Sequence, residues 1–489
     1  MDTVLNILSS PVLSVLAILY MITIVFICFM IIFENREPVQ TLSWVLVILL
    51  VPFLGIILYF VFGQNYRKKK IYSRKAVTDA EYLFTAAREQ RDTLKQKLKA
   101  KSLSVRNKSH LMTLMLNNQK AMLTERNSLK ILVNASETFP AMLAAIENAK
   151  KYIHLEFFRF DVDETGNVFR YSLMKKAREG VEVRVIIDDV GSWSFKAKYI
   201  KEMREAGVKI FPFLPVRITL LANKINYRNH RKILVVDGEK GFVGGLNIAE
   251  KYLKGLKEIG PWRDTHLEIK GDALASLNMV FLIDWYFVSN EVLTRESKYF
   301  GLREIDEHCL VQVATSGPDS DWANIMQVYF SAIATAKKSI YLCTPYFSPN
   351  ESILTALKTA ALSGIDVRII LPGKSDSGIA NWNSRSYISE LLYAGVRVYL
   401  YDSGFNHSKL MIVDGVFSSV GSPNVDMRSF NLNFEITALI YDEDFAAKLN
   451  HIYFKDIEDS VEVLSELWDG RRRSEKIKES LSRIFGPLY

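Results

Sequence analysis

The sequence predicts an α/β protein of two pseudo-symmetric halves, each a mixed β-sheet flanked by helices, preceded by two transmembrane helices. Three observations carry that expectation: two long uncharged runs near the N-terminus, an alternation of β-branched and amphipathic segments from about residue 126, and an internal repeat.

The two uncharged runs come first. Leu13–Phe33 and Leu42–Phe62 are each 21 residues without a charge. At the α-helical rise each spans roughly 30 Å, the thickness of a bilayer's hydrocarbon core. A cleaved signal peptide fits poorly, because no basic stretch precedes the first run and its apolar stretch is too long. The intervening loop carries one basic residue, Arg36, whereas Arg67, Lys68, Lys69, Lys70, Arg74 and Lys75 follow the second run. The positive-inside rule then puts the loop outside and the rest of the chain in the cytoplasm. Residues 1–65 are thus a membrane unit, and residues 66–125 a polar, basic, helical connector.

The body of the chain is read from its composition and its repeat. Hydrophobic residues make up 49% and charged residues 24%, which suits ordinary globular folding. A net charge of +8 fits an anionic partner such as acidic lipid, a phosphorylated substrate or nucleic acid, and fits a solvated basic surface equally well. Cys28, Cys309 and Cys343 are too few and too scattered for a disulfide framework or a metal site. Four segments recur in order: Ala149–Ile153 as Ala336–Ile340, Gly180–Ile186 as Gly364–Ile370, Ala206–Ile210 as Ala394–Val398, and Lys232–Gly238 as Lys409–Gly415. The offsets run from 177 to 188, so this is a duplicated domain, with halves at residues 126–295 and 296–489.

The last of these echoes carries the chemistry. The first copy reads His230-Arg231-Lys232, then Asp237, Gly244-Gly245 and Asn247. The second reads His407-Ser408-Lys409, then Asp414, Gly421-Ser422 and Asn424. Residues two apart on a strand share a face, so each His and Lys point the same way. Asp-Gly then reads as a tight turn into a returning strand, which brings the Asn back beside them. Two such sets, facing each other, offer two Lys and two Asn to the oxygens of one phosphate, with a His on either side. A neutral His can attack phosphorus while a protonated one releases the alcohol, with the Lys pair neutralising charge. No metal or other cofactor is required. Asp264, 34 residues after His230, and Glu435, 28 after His407, are the expected orienting carboxylates. Asp237 and Asp414 belong to the motif as candidate catalytic residues, and the Asp-Gly turn alone also explains them.

At these residues the chain resembles the phospholipase D superfamily, whose signature is the paired H-x-K motif. The stretches Arg228–Lys232, Trp262–Thr265, Ser316–Pro318, Thr344–Phe347 and Asp426–Glu435, with the two N-terminal helices, resemble bacterial cardiolipin synthases in particular. Departures are Asn406 before His407, Ser408 for a common Ala, and Ser422-Pro423. The resemblance implies two phospholipase D-like halves and transfer of a phosphatidyl group from one phosphatidylglycerol to another, releasing glycerol. It also implies a phosphohistidine intermediate, with His230 as nucleophile and His407 as general acid and then base; the pseudo-symmetry leaves those two roles exchangeable. The implied partners are phosphatidylglycerol and anionic membrane lipid, not nucleic acid, at the bacterial cytoplasmic membrane. Self-association as a homo-oligomer is left open. Hydrolysis, or transfer to serine, is the nearest alternative on the same site; a nuclease would have no use for the membrane helices, and a non-catalytic scaffold would not keep both motifs. The tail, Arg471 to Phe485, reads as a basic amphipathic helix that either rests on the membrane surface or closes the second half.

Overall fold

In the computed structural model each repeat unit gathers its β-branched runs into one sheet. Described are residues 11–33, 38–59, 77–216, 226–294, 296–300, 305–484 and 486. In the first half the strands are β1 (Asn127–Val133), β2 (Tyr152–Phe157), β3 (Glu182–Asp188), β4 (Lys209–Phe213), β5 (Lys232–Val236), β6 (Lys240–Gly244), β7 (Trp262–Arg263) and β8 (Thr265–Gly271). In the second they are β9 (Val311–Ser316), β10 (Ser339–Cys343), β11 (Phe347–Ser348), β12 (Asp366–Pro372), β13 (Arg397–Tyr401), β14 (Phe405–Asn406), β15 (Leu410–Val413), β16 (Phe417–Gly421), β17 (Val425–Asp426), β18 (Glu435–Tyr441) and β19 (Ser460–Glu462).

The first sheet runs β1-β8-β6-β5-β2-β3-β4, and the second repeats that order as β9-β18-β16-β15-β10-β12-β13, extended by β19. In both, three parallel strands adjoin an antiparallel block, the mixed sheet expected. The central strands are buried end to end, as at Lys232–Val236 and Leu410–Val413, because helices cover the sheet faces.

Both Asp-Gly hairpins form. Asp237 and Gly238 turn with φ of +55° and +66°, and Asp414 and Gly415 with +58° and +66°. The returning strands pair antiparallel, Ile233 with Val243 and Leu410 with Val420. The left-handed turn is why Gly, with no Cβ, follows each Asp.

The connector departs from its expected place. Its helix Ser109–Asn118 buries Leu111, Met112, Met115 and Leu116 in the core of the second half. Lys108 pairs with Asp414 at 2.7 Å, and Gln312 donates to the Ala121 carbonyl at 2.8 Å. The second half therefore begins, in sequence, before the first. Leu111, Met112, Met115 and Leu116 share one helix face within a segment otherwise rich in Lys and Arg.

By its contacts the chain divides into two compact units, Met1–Lys69 with Val216–Asn226, and Lys70–Pro215 with Tyr227–Tyr489. In the first, the uncharged runs form helices Pro11–Phe33 and, interrupted at Val51, Pro38–Leu50 and Pro52–Leu58. Pro52 interrupts the second run because its ring cannot continue the preceding turn. Among the described residues no helix is long and apolar enough to cross a membrane. Ile24, Ile27, Ile31 and Ile48 pack inside this unit, while Ile18, Met21, Ile22, Val25, Phe26 and Phe29 are exposed. Arg36 and the cluster Arg67–Lys75 lie outside the described residues.

The tail helix Arg473–Ile484 packs against helix Gly378–Arg385. Its inward residues are polar: Glu479, paired with Arg471 at 2.6 Å, and Ser482. Its exposed residues include Ile477, Leu481 and Ile484, one stripe at helical spacing.

Candidate active site

The two hairpins bring their motif residues to a common place between the halves. Each Lys turns back on its own motif: Lys232 Nζ donates to the His230 carbonyl at 2.5 Å and Lys409 Nζ to that of His407 at 2.6 Å. Both ammonium groups are buried. Burial lowers Lys232 well below the usual lysine range and Lys409 to about 8, and the repulsion between the two adds to the fall in Lys232. Two buried cations side by side form a site whose charge an anionic phosphate would neutralise.

The orienting carboxylates are exchanged between the halves. His230 Nδ1 lies 2.9 and 3.0 Å from the two oxygens of Glu435, and His407 Nδ1 lies 2.7 Å from Asp264 Oδ2. Each histidine thus takes its carboxylate from the opposite half, although each carboxylate follows its own half's histidine in sequence. Backbone pairing enforces the exchange. β14, which ends just before His407, pairs in parallel with β7, which ends just before Asp264. Asn229 bridges to Phe434 in the same way, with His230 N–H donating to the Phe434 carbonyl at 2.9 Å. With Nδ1 turned to a carboxylate in both rings, Nε2 is the nitrogen left to react.

The motif's small residues make room for these carboxylates. A Cβ on Gly245 would stand 2.2 Å from Asp264 Oδ1. Its counterpart Ser422 instead donates to Glu435 Oε2 at 2.5 Å. The two sides consequently differ in charge. Burial would raise Glu435, but His230, Lys232 and the Ser422 hydroxyl hold it down to about 2. Burial pushes Asp264 up to about 6 against Lys409 and the Thr265 N–H. Burial also lowers both histidines, His230 to about 4 with Glu435 opposing, and His407 well below its usual range with Lys409 and Lys232 adding. Both rings are therefore neutral near pH 7 before an anion binds.

The remaining motif residues divide into two groups. Asn247 accepts the Arg159 N–H on its Oδ1 and donates an Nδ2 hydrogen to Tyr252, while the Asn424 amide bonds Asp426. Asp237 and Asp414 sit at the opposite end of the hairpins. Asp237 accepts from the backbone N–H groups of Lys150, Lys151 and Tyr152, and Asp414 from those of Lys337, Lys338 and Ser339. Along the strand Asp237 stands about 16 Å from Lys232 and about 23 Å from His230. Candidates for catalysis by their place in the motif, these two aspartates instead tie each hairpin turn to the start of a parallel strand.

Several further residues build the site, most of them in the stretches that carry the family resemblance but without a role readable there. Asn229 and Asn406 each accept from the N–H two residues on, at 3.1 Å, bracing the turn around the histidine. Asn406, apparently a departure, is thus the twin of Asn229. Arg231 and Arg263 are buried against Asp284 and Asp456. Trp262, Tyr252, Tyr346 and Phe405 surround the His407 ring at 5.2 to 6.5 Å between ring centres. Extending the repeat back through each H-x-K pair aligns the two asparagines, both one residue before a histidine.

Two like folds, each presenting a His, a Lys and an Asn and exchanging carboxylates, are the architecture of the phospholipase D superfamily. The crystal structure of phosphatidylserine synthase from Haemophilus influenzae shares the fold, with a TM-score of 0.60 and 16% identity over 78% of this chain and 100% of that one. The family described as cardiolipin synthase, PLD-like domain matches residues 142–270 and again 329–457; a second, phospholipase D-nuclease N-terminal, matches 15–64. The cardiolipin synthase of Geobacillus sp. (strain WCH70) is 43% identical over 97% of this chain and 93% of its own length, and cardiolipin synthase 2 of Bacillus cereus is 43% identical over 93% and 88%. The chain belongs to the cardiolipin synthase family of that superfamily.

Proposed function

We propose that this chain makes cardiolipin by moving a phosphatidyl group from one phosphatidylglycerol to another through a phosphohistidine. The observation that carries the reading is the pair of His–carboxylate dyads closed around two buried lysines, in a chain matching cardiolipin synthases along nearly its whole length. The donor's phosphodiester lies between Lys232 and Lys409, with one N–H each from Asn247 and Asn424. His230 Nε2 attacks phosphorus; the glycerol oxygen leaves with the proton of His407 Nε2. The terminal hydroxyl of the second lipid then gives its proton to His407 while its oxygen attacks phosphorus and the P–N bond breaks. Glycerol leaves in the first step and cardiolipin in the second.

The charge asymmetry supports giving the nucleophile's role to His230. Phosphorylation at Nε2 with Nδ1 protonated makes that ring a cation, and Glu435 is the carboxylate held fully ionised beside it. His407 must be protonated in the first step. Phosphate charge between the lysines offsets the cations that, with burial, depress it.

The enzyme is held in the bacterial cytoplasmic membrane by the two N-terminal runs, with the catalytic halves on the cytoplasmic side. The first helix presents apolar side chains outward, as a helix does when lipid is its solvent. The tail helix shows an apolar stripe of Ile477, Leu481 and Ile484 among exposed Arg472, Arg473, Lys476 and Lys478, as suits an anionic interface.

The deciding experiment gives the purified protein phosphatidylglycerol in mixed micelles and analyses lipid and glycerol. Cardiolipin with stoichiometric glycerol is expected; phosphatidic acid alone would show that water is the acceptor. The His407→Ala variant, given a substrate with a good leaving group, should accumulate lipid on His230. A covalent adduct on any other residue would overturn the role assigned to His230.

A further inference from the structure

Resting on that reading, a second phosphate must be bound, because the acceptor lipid carries one of its own. The Lys232–Lys409 pair is occupied by the phosphorus under attack. The acceptor's phosphate hangs from the far end of a glycerol whose near oxygen sits at His407. Across three carbons the two terminal oxygens are about 5 Å apart. A cation one ring's breadth from His407 is therefore what the chemistry requires.

Such a cation exists on that side. Lys251 Nζ stands 4.6 Å from the centre of the Trp262 ring, which in turn lies 5.2 Å from the His407 ring. Its charge is among those depressing His407, so the two groups feel each other directly. Arg159 is close enough to lower Lys251 in turn, after burial. Its backbone N–H is fixed by Asn247 Oδ1, a motif residue, at 3.1 Å.

Among the described residues neither cation is tightly neutralised. The ion pairs Lys251–Asp376 and Arg159–Asp161 both measure 3.9 Å. Both carboxylates are held more closely by neutral hydroxyls, Asp376 by Tyr346 at 2.5 Å and Asp161 by Ser194 at 2.8 Å. The side chains of Lys251 and Arg159 are 22% and 35% exposed, so an entering lipid headgroup can reach them. Tyr346, which holds Asp376 from the second half, also faces His407. The arrangement is a pair of under-compensated, partly exposed cations on the side of the histidine that handles the incoming hydroxyl.

We propose that Lys251 and Arg159 bind the phosphate of the acceptor lipid, and so select a phosphate-bearing alcohol over water or free glycerol. The site determines specificity in the second step; the donor's own phosphate is bound elsewhere.

The test compares two acceptors that use the same covalent intermediate. Full-length protein in mixed micelles is given phosphatidylglycerol and labelled glycerol. Cardiolipin formation needs an acceptor with a phosphate, whereas exchange of labelled glycerol into phosphatidylglycerol needs none. In Lys251→Met and Arg159→Met the ratio of cardiolipin formation to exchange should fall about tenfold or more, the loss expected of a charge-assisted contact. Lys251→Arg should recover most of that ratio. Equal falls in both rates, or an unchanged ratio, would overturn the assignment, the first pointing to a structural role. If the unaltered protein makes no cardiolipin, the proposed function fails, and the subsite with it; failure of the subsite alone shows only in the variants.

Discussion

Replacing Asp264 by Asn separates what this residue does for chemistry from what it costs the fold. Asp264 accepts two donors, the Thr265 N–H at 2.8 Å and His407 Nδ1 at 2.7 Å. The backbone donor cannot change, so an amide at this position keeps its oxygen toward Thr265 and turns its NH2 toward His407. Nδ1 must then accept, and the ring carries its proton on Nε2. A ring protonated there cannot take the acceptor's proton. Loss of the correct tautomer in this way costs a triad enzyme about ten-thousandfold, and the same is expected here. Stability should move the opposite way. Burial has raised Asp264 from 3.8 to about 6, so the folded protein holds this proton more tightly than the unfolded chain. The stability this brings is complete below pH 4 and is lost as pH rises to 6. Asn suffers no such loss, so the variant should gain up to about 3 kcal/mol on the unaltered protein between those limits. The assays are cardiolipin formation at pH 7.5 and unfolding midpoints of both proteins at pH 4 and pH 7.5. With His-selective 15N labelling, the ring signals of His407 should move and those of His230 should not. Activity within tenfold of normal, a stability difference independent of pH, or a change centred on His230 would each refute the reasoning.

The other expectations concern residues around the same site. Asp237→Ala and Asp414→Ala each strip three backbone N–H groups of their acceptor, so melting temperature should drop while turnover per folded molecule changes by less than about threefold. A loss of turnover without loss of stability would restore a catalytic role to either. Gly245→Ala drives a methyl into the Asp264 carboxylate and should cut turnover at least about hundredfold; near-normal activity would mean the loop shifts freely. Lys232→Met and Lys409→Met should raise KM and lower kcat together, by about tenfold or more each, as the phosphate loses a buried cation. Ile477→Glu with Leu481→Glu should reduce activity on anionic vesicles about tenfold and spare it in detergent micelles, whereas equal loss in both would mean the tail helix only supports the fold.

Much of this was readable before any coordinates. The Lys232–Gly238 and Lys409–Gly415 echoes gave the duplication, and the Asp-Gly turns gave both hairpins, because those features are local. The exchange of Asp264 and Glu435 was not readable. It depends on β14 lying beside β7 and Asn229 beside Phe434, contacts between segments well over a hundred residues apart. Nothing in either half announces which histidine a carboxylate will meet. The connector is helical as its composition suggests, but its docking on the second half is not legible, because charged residues dominate its composition whereas Leu111, Met112 and Met115 decide its placement. Lys251 and Arg159 went unnoticed because ordinary basic residues become a site only through their distance from His407.

The exchanged carboxylates also bear on safety. An enzyme that opens phosphodiesters within a bilayer is a hazard when it is half built, since a reactive histidine with a free water molecule degrades the lipid it should extend. Here neither half contains a complete dyad. A chain in which the halves have not yet packed together has each histidine without its carboxylate. The proposed chemistry therefore depends on closure of the two halves, and a molecule that fails to close is expected to be inert rather than lipolytic.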